Sequence, residues 1–204
     1  TEEGLHSSLS AGLLLNKGNV DLLQLNSSGR VQYSKGAYHS FIQGSLVYGE
    51  KSGTAFIDQS FIHARTTYMW HEILGGELFT QTQRDAFRSL NLRQLLGGGS
   101  RMVLYRQGLA EGAVGLGGMI EYERFGEEGI AREDTNVRLT GYVTFQFMLN
   151  KAAQMTLNNT SYIQPLATKF NDFRVLNDLS FEVRLTEKLS LLEGMSVFYD
   201  SEPP

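Results

Sequence analysis

The most constraining feature of this sequence is a polar–apolar alternation with a period of two residues, which recurs along almost its whole length. Val143 and Phe145, for example, flank Thr144, and the same alternation continues on both sides. Successive side chains of a strand point to opposite faces, so this period predicts strands rather than helices. Eight clear segments and three weaker ones (74–84, 154–165 and 189–200) follow it. The predicted strands are 5–15, 20–34, 37–50, 56–70, 74–84, 88–105, 109–124, 135–149, 154–165, 173–185 and 189–200.

These strands are too long for a soluble β-sandwich. Most run about 11–16 residues, whereas strands of globular proteins usually have about 5–6. A strand crosses the hydrocarbon core of a bilayer with about 9–11 residues, and among sheets only a closed barrel satisfies every backbone polar group there. The pattern therefore predicts one all-β domain over 1–204, an antiparallel up-and-down transmembrane β-barrel. Its apolar alternation would face lipid and its polar alternation the lumen.

Lysines and loop lengths favour the same architecture. All six lysines fall in predicted turns: Lys17, Lys35, Lys51, Lys151, Lys169 and Lys188. This placement has a physical cause, because a cation on the lipid face at mid-membrane costs about 2–4 kcal/mol. Connections after even-numbered strands are short and several after odd-numbered strands are longer, as in outer-membrane barrels with short periplasmic turns. We therefore expect a bacterial outer-membrane protein with its N-terminus in the periplasm.

Aromatic residues near the predicted strand ends are typical of the girdles at the two membrane interfaces. They are Tyr33, Tyr38, Tyr48, Tyr68, Trp70, Tyr122 and Phe147.

Three segments carry a resemblance to a known family. They are 9–26 (LSAGLLLNKGNVDLLQLN), 84–105 (RDAFRSLNLRQLLGGGSRMVLY) and 196–204 (SVFYDSEPP). In this order and spacing they resemble the salt-induced outer-membrane protein family. The resemblance implies an outer-membrane β-barrel domain without a settled biochemical function. It also implies a further strand after the Ser-Glu-Pro-Pro loop at 201–204.

The strand count leads to the same expectation. Eleven strands would put the two ends of the chain on opposite sides of the membrane and leave an open sheet edge in lipid, which costs several kcal/mol per unpaired group. Single-chain bacterial barrels have an even number of strands. We therefore expect about twelve strands, with about 15–25 residues beyond Pro204 supplying the last one. The alternative is that strand 1 or one of the weak strands at 74–84 and 154–165 is miscounted.

Composition excludes several classes of protein. The chain has no cysteine, which excludes a disulfide scaffold, a thiolate metal site and a cysteine nucleophile. Its net charge of −4 argues against a nucleic-acid partner. No apolar run approaches the roughly 20 residues that a transmembrane helix needs.

The strongest candidate for a functional site is a set of charges on the polar alternation, which would line the lumen. It contains seven arginines and seven carboxylates. They are Arg30, Arg65, Arg93, Arg101, Arg138, Arg174, Arg184, Glu77, Glu111, Glu121, Glu123, Asp178, Glu182 and Asp200. Such a set could act as a selectivity lining, or it could fill the lumen with salt bridges. The even count favours pairing, because buried charges must be paired.

A second candidate is an external acidic loop over 125–134 with Glu127, Glu128, Glu133 and Asp134. It is either a solvated loop or a contact for divalent cations or partners at the lipopolysaccharide surface.

Other motifs indicate structure rather than chemistry. His6, His39, His63 and His71 all lie on the polar alternation, and we interpret them as hydrogen-bonded lumen residues, because their spacing specifies neither a catalytic arrangement nor a metal site. The glycine run 97–99 lacks the Lys-Ser/Thr and the helix of a phosphate loop. It indicates a bend or a close backbone approach.

The sequence thus predicts an integral outer-membrane β-barrel, with a narrow passive channel through a charge-paired lumen. The alternatives are a scaffold barrel of an envelope assembly and a soluble carrier of lipocalin type. We expect no enzymatic activity, no cofactor and no metal. The expected partners are outer-membrane lipid, lipopolysaccharide and envelope proteins.

Overall fold

The eleven predicted strands are all present and form one antiparallel sheet. The computed structural model describes residues 3–17, 21–126, 132–150, 155–186 and 190–202. Strands that follow one another in sequence are hydrogen-bonded to each other, so the sheet order runs from β1 to β11 and these two strands are its ends. The strands are β1 (Gly4–Asn16), β2 (Leu22–Lys35), β3 (Tyr38–Lys51), β4 (Thr54–Met69), β5 (Leu74–Asp85), β6 (Leu90–Gln107), β7 (Ala110–Phe125), β8 (Arg132–Asn150), β9 (Met155–Leu166), β10 (Lys169–Arg184) and β11 (Ser190–Asp200).

A short helix that the sequence analysis did not predict lies between two of the strands. A single 3₁₀ turn, Ala86–Arg88, connects β5 to β6. Asp85 caps it by accepting a hydrogen bond from the backbone N–H of Arg88 at 3.4 Å, and Ser89 ends it in the left-handed conformation at φ 53°. In the described part of the chain, no helix is long and apolar enough to cross a membrane.

The chain divides into two compact units. The first contains Thr1–Tyr68, Glu77–Gly98 and Ile120–Asn136. Within it, β1 pairs with β2 in continuous register from Gly4↔Ser34 to Asn16↔Leu22. The β3–β4 ladder continues the pattern, with one irregularity between Gly49 and Glu50.

The second unit contains Met69–Gly76, Gly99–Met119 and Val137–Pro204. Within it, β8 pairs with β9, β9 with β10 and β10 with β11, all antiparallel. The register shifts once between Met148 and Asn150 and once between Lys169 and Phe173.

One face of the sheet, here called the apolar face, carries the apolar alternation, and many of its large side chains are exposed. Ile42, Leu96 and Leu116 keep 60%, 64% and 72% of their surface accessible. Others on this face that are exposed are Leu46, Ile62, Leu78, Leu104, Ile120, Val137, Leu139, Val143, Phe145 and Phe147. Soluble proteins do not usually expose contiguous apolar surface of this extent.

The opposite face, here called the polar face, contains most of the buried residues. Arg93, Glu121 and Arg138 are 4%, 0% and 3% exposed, although arginine and glutamate are among the residues least often buried. The small apolar core lies on the same face and consists of Leu95, Val103, Ala113, Met119 and Tyr142. Leu90, the first residue of β6, is also buried, with 2% of its surface exposed.

The glycine run lies where two backbones approach closely, as predicted. A Cβ at Gly99 would lie 2.3 Å from the carbonyl oxygen of Leu116 in β7. Only glycine fits there, because real Cβ atoms do not come this close to backbone oxygen.

The described lysines lie at strand ends or between strands, as predicted. Lys35 and Lys51 are the last residues of β2 and β3, Lys169 is the first of β10, and Lys17 follows β1. Lys151 and Lys188 lie outside the described residues.

Candidate functional site

A buried triad of charges lies on the polar face of β6 and β7. Glu121 and Glu123 are two positions apart and so project to the same face. Arg93 places Nη2 2.6 Å from Oε1 of Glu121 and Nε 3.4 Å from Oε1 of Glu123. Their side chains are 4%, 0% and 6% exposed. Charges this deeply buried are tolerated only when they are paired, so the triad satisfies the expectation of pairing.

A second ion pair connects β4 to β5. Nη1 of Arg65 lies 3.5 Å from Oε2 of Glu77. The hydroxyl of Thr67 donates to Oε1 of the same carboxylate at 3.0 Å, and Cζ of Arg65 lies 5.3 Å from the ring centroid of Phe79. Glu77 is therefore bound by two side chains of the neighbouring strand, through an ion pair with Arg65 and a hydrogen bond from Thr67.

The third group joins β6, β7 and β8. Nη2 of Arg101 lies 3.9 Å from Oε1 of Glu111. Nη1 of Arg101 donates to the hydroxyl of Tyr142 at 2.9 Å. The Tyr142 ring lies directly over Gly115, where a Cβ would be 2.1 Å from ring carbon Cε1. Glycine at 115 thus leaves the space that the tyrosine occupies, and the tyrosine in turn orients the arginine.

Two more arginines pair in the second unit. Nη1 of Arg138 lies 2.9 Å from Oδ1 of Asp172, and Nε of Arg174 lies 2.8 Å from Oδ2 of Asp200. Both arginine side chains are at least nine-tenths buried. The ion pairs of this face join strands that are neighbours in sheet order, or next but one in the case of Arg138.

Four of the predicted charges are not brought into ion pairs with other described residues. Arg30 donates instead to two glutamine side chains, and Asp178 accepts a hydrogen bond from Ser196 at 2.6 Å. Arg184 is exposed and Glu182 half-buried, and neither has an ion-pair partner among the residues that the structure describes. The sequence analysis grouped all fourteen charges, but pairing depends on which strands are adjacent.

Two of the four acidic residues assigned to the external loop lie on a strand instead. β8 begins at Arg132, so Glu133 and Asp134 lie on the strand, and Nε of Arg132 is 2.7 Å from Oδ2 of Asp134. Glu127 and Glu128 lie outside the described residues.

His39 and His63 do not face each other across β3 and β4. His39 pairs in register with Thr67, and His63 with Gln43, so the two are offset by several positions. Nδ1 of His39 and the hydroxyl of Ser34 share a hydrogen bond of 2.6 Å, as expected for a structural residue. His63 instead lies among the rings of Phe41, Phe61 and Phe79. Among the described residues no group of three potential metal ligands occurs.

Sequence reasoning missed several members of these groups. Asp172 lies just before the predicted strand 173–185, Thr67 is an uncharged residue, and Tyr142 is an aromatic residue on the polar alternation. A systematic search for aromatic residues on the polar alternation would have found Tyr142. Asp172 carries no such signal, because its partner lies on a strand two positions away in the sheet.

A comparison with models of protein families gives a match over most of the chain. The model of a family described as "Protein of unknown function, DUF481" matches residues 9–204. No curated protein matches the chain. The match agrees with the expectation of a domain family without a settled function, and the salt-induced outer-membrane name stays a prediction.

Proposed function

The chain belongs to the DUF481 family of proteins of unknown function, so its activity must be inferred from geometry, and we propose that it is an integral outer-membrane β-barrel protein. Its strands cross the outer membrane with the apolar face against lipid. The N-terminus lies in the periplasm, and the surroundings are outer-membrane lipid and lipopolysaccharide.

The observation that carries this proposal is the reversed distribution of polarity. Large apolar side chains are exposed along one face, while ionised side chains are buried on the other. In water this arrangement would leave the apolar face without the burial that drives folding. In a membrane the apolar face contacts the hydrocarbon chains of the lipid, and the charged side chains point away from them.

The only tryptophan of the chain provides a direct test. Trp70 is 59% exposed and covers Gly76, where a Cβ would lie 2.7 Å from its ring. It follows the last residue of β4, where an interfacial aromatic belongs. In vesicles of brominated phospholipid we expect its fluorescence to be quenched, more by bromine near the head group than by bromine at the chain end. Absence of quenching by either lipid would contradict insertion.

Two neighbouring positions of β8 give a matched control. In a Trp70→Phe background, Val143→Trp places the fluorophore on the apolar face, and Thr144→Trp places it on the polar face, where Thr144 shares a 3.0 Å hydrogen bond with Thr160. Bromine should quench the first strongly and the second weakly. Equal quenching would refute the assignment of the faces.

Within this fold we propose a narrow passive channel with a charge-paired lumen. The supporting observation is that the described ion pairs connect neighbouring or nearly neighbouring strands, as in Arg93 with Glu121 and Arg174 with Asp200. Such pairs hold neighbouring strands of the barrel together, and their side chains occupy space in the lumen and so narrow it.

Planar-bilayer recording tests the channel. We expect small conductance from the unmodified protein and a larger conductance, or lower thermal stability, when Arg93 and Arg101 are both replaced by glutamine. A large, stable, ohmic pore in the unmodified protein would contradict a charge-filled lumen. Zero conductance together with a stoichiometric co-purified envelope protein would favour the scaffold alternative.

A further inference from the structure

Arg30 differs from the other partly or fully buried arginines of the polar face. Each of the others has a carboxylate oxygen within 4 Å: Arg65, Arg93, Arg101, Arg138 and Arg174. Arg30 is half-buried on β2 and has no carboxylate partner among the residues that the structure describes. A guanidinium group stays charged under all ordinary conditions, so this positive charge is not neutralised by the described protein.

Two amides hold the guanidinium group in place. Nη1 of Arg30 donates to Oε1 of Gln43 at 2.6 Å, and Nε donates to Oε1 of Gln32 at 3.2 Å. Cζ lies 3.8 Å from the ring centroid of Phe41, so the ring supports the cation through its π face. Gln43 and Arg30 are register partners across β2 and β3, as are Phe41 and Gln32, so the sheet itself fixes the arrangement.

The cluster has more donors than acceptors. Arginine has five N–H donors, and two of those on Arg30 are used by the glutamines, which leaves the Nη2 pair and one Nη1 proton. Both glutamines use their oxygens on Arg30, and their NH₂ groups make no hydrogen bond within the described part of the chain. A ring nitrogen of His6, whose residue pairs with Gln32 in register, is also buried without a partner there.

The carboxylate of Glu77, on the polar face of β5, does not neutralise Arg30. Glu77 is engaged by Arg65 at 3.5 Å and by Thr67 at 3.0 Å. Arg65 itself is a register partner of Phe41, the ring that lies under Arg30. Phe41 thus lies on β3 between β2, which carries Arg30, and β4, which carries Arg65, and the carboxylate of Glu77 pairs with Arg65.

We propose that Arg30, Gln32 and Gln43 form a binding site for a small oxyanion, a phosphate or a carboxylate group. A planar guanidinium group with a free edge recognises such oxygens through paired N–H···O bonds, and the two amide NH₂ groups supply further donors. The inference goes beyond the proposed function, because it assigns a ligand class to a specific position whether or not the protein conducts.

Magnetic-resonance titration of the folded full chain in detergent tests the site. The probes are inorganic phosphate, observed through ³¹P relaxation, and ¹³C-labelled acetate, at pH 7 and constant ionic strength. Saturable binding of phosphate alone would identify the ligand group as a phosphate, and binding of acetate as well would extend it to carboxylates. Binding of neither would overturn the proposal.

Three variants locate the binding. Arg30→Gln should weaken the apparent affinity about tenfold or more, the usual loss for a charge-assisted hydrogen bond. Arg184→Gln removes the same charge from an exposed arginine of the same face and should leave the affinity within about twofold. Arg30→Lys keeps the charge without the planar fork, and should bind several-fold more weakly.

Equal affinity in Arg30→Gln and the unmodified protein would overturn the site, and equal affinity in Arg30→Lys would overturn the role of the guanidinium fork. Heat-modifiable migration confirms that each variant is folded. Because the titration is made in detergent, its failure leaves the bromine quenching of Trp70 unaffected, and the two proposals fail separately.

Discussion

Replacing Arg93 with methionine should strongly destabilise the protein. Methionine retains much of the length of the side chain but none of its charge or donors. The substitution leaves Glu121 and Glu123, which are 0% and 6% exposed, without the cation that lies between them. Removing one partner of a buried ion pair costs about 3–5 kcal/mol, because the remaining charge stays buried. We therefore expect the free energy of unfolding to fall by about this amount.

Arg106 provides the matched control. It makes two hydrogen bonds of 3.1 Å to the carboxylate of Glu111, yet its side chain is 60% exposed. Exposed ion pairs contribute about 0–1 kcal/mol. Arg106→Met should therefore cost at least about 2 kcal/mol less than Arg93→Met, although both remove an arginine from the same strand.

Urea unfolding from detergent or lipid vesicles, followed by the fluorescence of Trp70, measures both variants. Extrapolation to zero denaturant gives the free energy of unfolding. A double variant, Arg93→Met with Glu121→Gln, should lose less than the sum of its single variants, because the second change removes the uncompensated charge. Arg93→Met no more destabilising than Arg106→Met would refute the reasoning.

Two further predictions concern faces and packing. Val143→Arg should block assembly far more than Thr144→Arg, because an arginine at mid-membrane costs about 2–4 kcal/mol on the lipid face only; equal heat-modifiable folding of the two would refute this. Gly115→Ala should destabilise by about 1–3 kcal/mol, because its Cβ would lie 2.1 Å from the ring of Tyr142. Gly118→Ala is the control, since its nearest neighbour is 3.7 Å away, and thermal melting should separate the two.

The strands themselves could be predicted from the sequence because their signal is local. A period of two over a dozen residues specifies a strand and its two faces without knowledge of any neighbour. The prediction is confirmed even for the weak segment at 154–165, which forms the strand Met155–Leu166. The 3₁₀ turn at Ala86–Arg88 was missed, because a three-residue turn leaves no periodic signal.

For the candidate site, the sequence could predict which charged residues share a face but not which of them pair. The polar alternation identified Arg93 and Glu121 as members of one face, but their contact depends on the register between β6 and β7. Asp172 was missed as the partner of Arg138, at 2.9 Å, because β8 and β10 are separated in the sheet by β9. Arg30 was included as one charge among many, and only its surroundings distinguish it.

The sequence by itself thus determined the strands, their two faces and the kind of residue on each, since these depend on the geometry of a single extended chain. The tertiary structure decided which charges pair, that the half-buried Arg30 donates to amides rather than to a carboxylate, and which glycine must accommodate the ring of Tyr142. These depend on register, and shifting a strand by one residue would exchange its faces without altering its composition. Register arises from pairing along whole ladders, so it is a property of neighbouring strands together.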